Sequence, residues 1–158
     1  MAESSEADVL VPGRDAGIYV DSSAVAKLYV PEAESDALDA FLRGRVGLAI
    51  SELAVTEVLS AVARRKRERE LSASHANRIR DALLTDVGSG SFARLDLTPA
   101  IHREAERLLL STDAALRTLD ALHLALAFSG RVNHVLTFDR RMAQAAAVLG
   151  FNVIDLRA

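Results

Sequence analysis

Five short apolar runs, separated by longer stretches of helical periodicity, constrain this chain more than any other feature. The runs are Ile18–Val20, Val46–Ile50, Ala93–Leu97, His134–Phe138 and Asn152–Leu156. Most do not alternate polar with apolar residues, which predicts strands covered on both faces. Helices are expected between them, over Ser22–Tyr29, Glu34–Arg43, Ser51–Glu70, Ser72–Val87, Thr98 to about Ser111, Thr118–Ser129 and Arg140–Leu149. Local signals support several of these ends. Ser51 and Ser72 are suited to N-caps, Thr98-Pro99 joins a cap to a first-turn proline, and Gly130 and Gly150 are suited to stops. Strands alternating with helices predict an α/β fold of three layers, α/β/α, around a central, mainly parallel sheet of about five strands.

Composition narrows the class. A chain of 158 residues fits one domain, long enough to bury roughly 70% of its unfolded surface. Half the residues are hydrophobic and 26% are charged, which excludes general disorder. A net charge of −3 argues against a broadly basic nucleic-acid binder and leaves room for a local basic patch. The chain has no cysteine, so disulfides, thiolate nucleophiles and cysteine-bound zinc are excluded. That is compatible with a reducing cytoplasm, the expected location. Residues 1–16 are polar and acidic apart from Val9, Leu10 and Val11, unlike a signal peptide. They are expected to form a flexible leader before a folded domain over residues 17–158. No run approaches the ~20 apolar residues of a membrane helix.

In parallel sheets, ligands bind outside the carboxyl ends of the strands. Asp21 follows the first strand directly and Asp139 follows the fourth through "LTFD", so both should reach one rim. Glu57 lies on a helix face with Leu53, Ala54 and Ala61, and Asp120 lies in the apolar "RTLDALHLALAF". Taken singly, each has a plain explanation. Asp120 suits a first helical turn, and Glu57 suits a core salt bridge to an arginine. Together, four converging carboxylates would repel one another unless a cation joined them. Oxygen ligands without a histidine or thiol cluster favour Mg²⁺ or Mn²⁺ over zinc.

The blocks "IYVDSSAVAKLYVPE", "SELAVTEVLSAVAR", "LRTLDALHLALA" and "LTFDRRMAQAAAVLGFNVIDL" together resemble PIN-domain ribonucleases of the VapC-type toxin branch. The resemblance spans about residues 17–156, and the last two blocks are its most specific part. It implies a PIN-like fold and Mg²⁺-dependent cleavage of RNA, with Mn²⁺ as a substitute. It also implies a cognate antitoxin, whose basic residue would insert near the acids, and frequent homodimerisation. The order Asp21, Glu57, Asp120, Asp139 matches the family's acidic constellation. Asp21 with Asp120 or Asp139 would hold metal, and Glu57 would orient the attacking water or act as general base. Ser22, Thr137 and Thr118 would support the carboxylates through hydrogen bonds. For Ser22 and Thr118, a helix N-cap is an equally good reading.

The remaining features have blander alternatives. "ARRKRERE" reads either as a solvated helix end or as a phosphate-binding patch through Arg64 and Arg65. Arg117 would pair with a pocket carboxylate or touch RNA. His123, three residues after Asp120, reads as a packed, hydrogen-bonded core histidine. A haloacid-dehalogenase-type phosphatase would need a second aspartate where Ser23 stands, and no phosphate-binding G-x-x-x-x-G-K-[ST] loop is present. A non-catalytic binding module and a PIN nuclease of RNA processing remain as alternatives.

Overall fold

The computed structural model describes residues 12–157. Five strands form one parallel sheet: β1 (Ile18–Val20), β2 (Leu48–Ser51), β3 (Ala93–Leu95), β4 (His134–Leu136) and β5 (Asn152–Ile154). The seven helices among the described residues are α1 (Ser22–Tyr29), α2 (Ser35–Leu42), α3 (Glu52–Arg67), α4 (Ala73–Gly88), α5 (Pro99–Ser111), α6 (Thr118–Ser129) and α7 (Arg140–Val148). The strand order is β3-β2-β1-β4-β5. From β1 the chain steps outward through β2 to β3, then crosses to β4 and β5 on the other side. Right-handed crossovers in opposite directions place their helices on opposite faces. Thus Ile18, Val20, Leu48, Ile50, Leu136 and Ile154 pack against α1 to α4. Tyr19, Ala49 and Val135 pack against α5, α6 and α7. This is the expected three-layer α/β/α architecture.

Helix starts follow their caps. Ser51 Oγ accepts from Ala54 N at 3.0 Å, Ser72 Oγ from His75 N at 3.0 Å, and Thr98 Oγ1 from Ile101 N at 3.4 Å. The second strand begins later than its apolar run suggested. Gly47 has φ +78°, and a Cβ there would lie 3.2 Å from the Ala16 carbonyl oxygen. Val46 therefore falls in the preceding turn and is 60% exposed. Gly130 serves a different purpose. Its φ is −75°, so no left-handed turn requires glycine there, and an added Cβ would meet Leu95 Cδ1 at 3.0 Å, a methyl that would have to give way. The left-handed residue after α6 is Arg131 instead.

The expectation that every strand is covered on both faces fails at β3. Ala93 and Arg94 are exposed, because β3 is an edge strand and Arg94 reaches Glu52 across the surface. At the opposite extreme, Asp120–Ala127 of α6 is buried at every position. Of the expected leader, residues 1–11 lie outside the described residues. Residues 12–16 lie against the fold: Arg45 Nη1 donates to the Pro12 and Gly13 carbonyls, and Val46 N donates to that of Arg14. Among the described residues, no helix is long and apolar enough to cross a membrane.

Candidate active site

The order of the sheet puts a crevice at the carboxyl end of β1, where the two crossover directions diverge. A cleft of about 410 Å³ opens there. Asp21, Glu57, Asp120 and Asp139 all line it, although they come from the end of β1, the middle of α3, the first turn of α6 and the end of β4. Ser22, Arg117 and Thr118 line it as well.

Asp21 is the most constrained of the four. It is 3% exposed and caps α1 by accepting from Ala24 N at 3.1 Å. The same oxygen, Oδ1, accepts from Ser23 Oγ at 2.6 Å, and Oδ2 accepts from Thr137 Oγ1 at 2.5 Å. Each hydroxyl also receives a backbone N–H from the turn after β4. Ser23 Oγ accepts from Phe138 N at 2.8 Å and Thr137 Oγ1 from Asp139 N at 3.0 Å. Two hydroxyls thus relay two backbone dipoles onto the two oxygens of one carboxylate. Burial nevertheless dominates and raises the Asp21 pKa above its ordinary value, against the opposing bonds from Ser23 and Thr137.

The supporting hydroxyl next to Asp21 in space is that of Ser23. Ser22 is the first residue of α1 and lines the cleft, but Asp21 itself is the cap. Thr118 likewise opens α6, with Arg117 in the cap position. Sequence reasoning overlooked Ser23. Its signal was available: an aspartate cap leaves the second helical residue facing back toward the cap side chain.

Asp120 and Asp139 share a cation. Arg117 grips Asp120 in a fork, Nε to Oδ2 at 2.9 Å and Nη2 to Oδ1 at 3.1 Å. Nη2 also donates to Asp139 Oδ2 at 2.8 Å. The second Asp139 oxygen caps α7, accepting from Arg141 N and Met142 N at 2.8 and 3.2 Å. Burial pulls the Asp139 pKa up, but Arg117 and the two backbone N–H groups outweigh it and hold it below the ordinary value. Arg117 is raised in turn, first by its bonds to Asp120 and Asp139.

Glu57 does not pair with an arginine. Its Oε1 meets His123 Nε2. His123 Nδ1 lies 2.6 Å from the Tyr19 hydroxyl, which lies 2.8 Å from Ser51 Oγ. The chain Glu57–His123–Tyr19–Ser51 links α3, α6, β1 and β2, so the packed histidine also fixes the acid that faces the cleft. The arginine cluster divides as well. Arg65 Nη2 binds Glu32 at 2.5 Å beside α1, whereas Arg64 and Arg67 line a shallow extension of the cleft past Glu57 and Leu119.

The donor set suits a hard divalent ion, since it consists of carboxylate oxygens with hydroxyls behind them. The Arg117 guanidinium, shared between Asp120 and Asp139, is a stand-in for positive charge at that spot. Among the described residues, no three acidic or histidine side chains form a ready-made metal group, and two of the four acids are turned to Arg117.

A second cleft, of about 380 Å³, adjoins the first. Ala26 and Val30 of α1, Val58 and Val62 of α3, and Phe138 give it apolar walls. Lys27 sits at its rim, bonded to Glu32 and Glu34 at 2.6 and 2.8 Å and 5.0 Å from the centre of the Phe138 ring.

Comparison with known proteins bears on the family and the fold. The PIN domain family matches residues 18–148. The chain is 38% identical over 141 residues to ribonuclease VapC46 of Mycobacterium tuberculosis, covering 88% of this chain and 97% of that one. Its fold is similar to the crystal structure of M. tuberculosis VapC20, a sarcin-ricin loop cleaving toxin (TM-score 0.65, 18% identity, 82% of this chain and 95% of that chain). It is also similar to a chain of a toxin–antitoxin complex from Klebsiella pneumoniae (TM-score 0.60, 20% identity, 90% and 98%).

Proposed function

This chain belongs to the PIN domain family, and from that premise we propose that it is the endoribonuclease toxin of a toxin–antitoxin pair, cutting RNA phosphodiester bonds with Mg²⁺ or Mn²⁺. The observation that carries this reading is the convergence of Asp21, Glu57, Asp120 and Asp139 on one cleft from four separate elements. A metal held by Asp21, Asp120 and Asp139 would supply the positive charge that an acidic cleft needs to accept a phosphodiester, and would make water acidic enough to attack it. The chain's own residues do the rest. Ser23 and Thr137 hold Asp21 in one orientation, and Asp139 is fixed by the first turn of α7. Glu57, braced by His123, orients the attacking water or takes its proton. An RNA substrate fits the cytoplasmic location expected from the sequence. The direct test is to sequence RNA ends after induction in cells. New ends should appear with the wild type and not with Asp21→Asn. Identical ends in both would overturn the assignment.

Arg64 and Arg67 continue the cleft away from Glu57 and have no ion pair among the described residues, which supports them as the path of the RNA backbone. Arg65 drops out of this role because Glu32 holds it. Replacing Arg64 and Arg67 together by Ala should weaken binding of unrelated RNAs and lower the slope of log affinity against log salt by about 1 to 2. An unchanged slope would return both residues to a solvated surface.

The antitoxin reading is supported by the VapC relatives and by the groove between α1 and α3. Its apolar walls suit an amphipathic segment of the partner. The rim next to Asp21 and Glu57 suits a basic side chain from that segment. Docking of apolar groups would supply most of the affinity, since an ion pair returns little beyond its desolvation cost. Changing that basic residue of the antitoxin to Ala should restore RNA cleavage at high Mn²⁺ while the two proteins still co-purify. Full inhibition by the altered antitoxin would favour simple steric cover.

A further inference from the structure

We infer that Arg117 is a built-in counter-cation of the acidic cleft, one that leaves Asp120 and Asp139 when a divalent ion binds and then faces the substrate phosphate. The inference rests on the metal-dependent nuclease reading above. Its basis is the unequal freedom of the three groups. Asp120 cannot move far: its side chain is 7% exposed, and it stands at the head of a helical stretch buried through Ala127. Asp139 is pinned by two backbone N–H groups of α7. Arg117 lies outside the helix proper, at the cap, and its side chain is 46% exposed. It is the most exposed of the three groups, and solvent adjoins it.

The two occupancies compete for the same atoms. Both oxygens of Asp120 and the cleft-facing oxygen of Asp139 bond to this guanidinium. A divalent ion needs oxygens from the same set, and two cations sharing them would repel. The arginine fork suits the holding state, because its planar donors grip both oxygens of Asp120 while still reaching Asp139. Once displaced, the guanidinium stays tethered at the mouth of the cleft. The nearest strong acceptor there is then a phosphate oxygen.

The test follows the arginine itself in full-length protein. The Arg117 Nε–H resonance, assigned by its loss in Arg117→Lys, is recorded in ¹⁵N-labelled wild type without metal and through a Mg²⁺ titration. It should begin as a shifted, exchange-protected signal and move at saturation to the position of a solvated arginine. In parallel, Mn²⁺ binding is measured by calorimetry. Arg117→Gln should bind about two- to fivefold more tightly than wild type, as expected for release from a partly exposed ion pair, with Arg117→Lys between them. An Nε–H signal that stays in place at Mg²⁺ saturation would overturn the inference while leaving the metal site intact. So would equal or weaker Mn²⁺ binding by Arg117→Gln. A wild type that binds no Mn²⁺ would remove the metal reading and this inference together. Should Arg117→Gln fail to fold, the wild-type titration still decides.

Discussion

Asp21→Asn should abolish metal-dependent RNA cleavage, lowering the rate by at least about a hundredfold, while the fold survives. The substitution keeps the shape and removes a charge that Ser23, Thr137 and Ala24 hold in place. Its effect on stability has a definite sign. Burial raises the folded-state pKa of Asp21 above the ordinary 3.8, so the folded protein binds this proton more tightly than the unfolded chain does. The associated stability is present below the ordinary pKa and is lost as pH rises through the folded one. Asn does not undergo that loss. In EDTA at pH 7 the variant should therefore melt at or above the wild-type temperature, and the gap should close toward pH 4. Added Mg²⁺ should stabilise only the wild type. Cleavage assays and melting curves at both pH values check this. A variant that cuts RNA normally, or one less stable than wild type at neutral pH alone, would refute the account.

Thr137→Val should be costly on both counts. Thr137 is fully buried, and its hydroxyl sits between the Asp21 carboxylate and the Asp139 backbone N–H. Val keeps the volume but leaves a buried acceptor and a buried donor unpaired. Each such loss costs on the order of 1–3 kcal/mol. The freed carboxylate should also lower activity by about ten- to a hundredfold, as is usual for groups that orient a metal ligand. Thr137→Ser keeps the hydroxyl and should recover most of the activity. Denaturant melts and single-turnover cleavage distinguish the three proteins. Wild-type behaviour in the Val variant would show that Asp21 does not need this support.

Much of this architecture was legible because the relevant signals are local. A three-residue apolar run that stops at Asp21 marks both a strand and its functional end. The unbroken apolar stretch around Asp120 announces a helix buried on every side. What escaped the sequence depends on direction in space. Ser22 and Ser23 are equivalent as letters, but only the second helical residue turns back onto the capping carboxylate. Arg65 follows Glu57 by eight residues and Arg67 by ten. Those two residues turn the helix by about 200°, which sends one to Glu32 and the other along the cleft. Taken singly, Glu57 suited a salt bridge to an arginine, because buried charges need partners. Its partner is His123 from another helix, and nothing in the spacing of Glu57 could indicate that. The exposure of β3 depends on strand order, which the alternation of elements does not determine.

The bond between Thr137 and Asp21 joins residues 116 positions apart, and this has a consequence for how the enzyme is made. Synthesis delivers Asp21 early and Asp139 close to the end. Between them come the central strand's neighbours and the buried helix that carries Asp120. No partial chain can hold the four acids together, because the last turn that fixes them emerges only with α7. The four acids can therefore assemble only once the segment through α7 has been made. The groove between α1 and α3 is finished at the same late step, because Phe138, which completes its apolar wall, is the residue before Asp139.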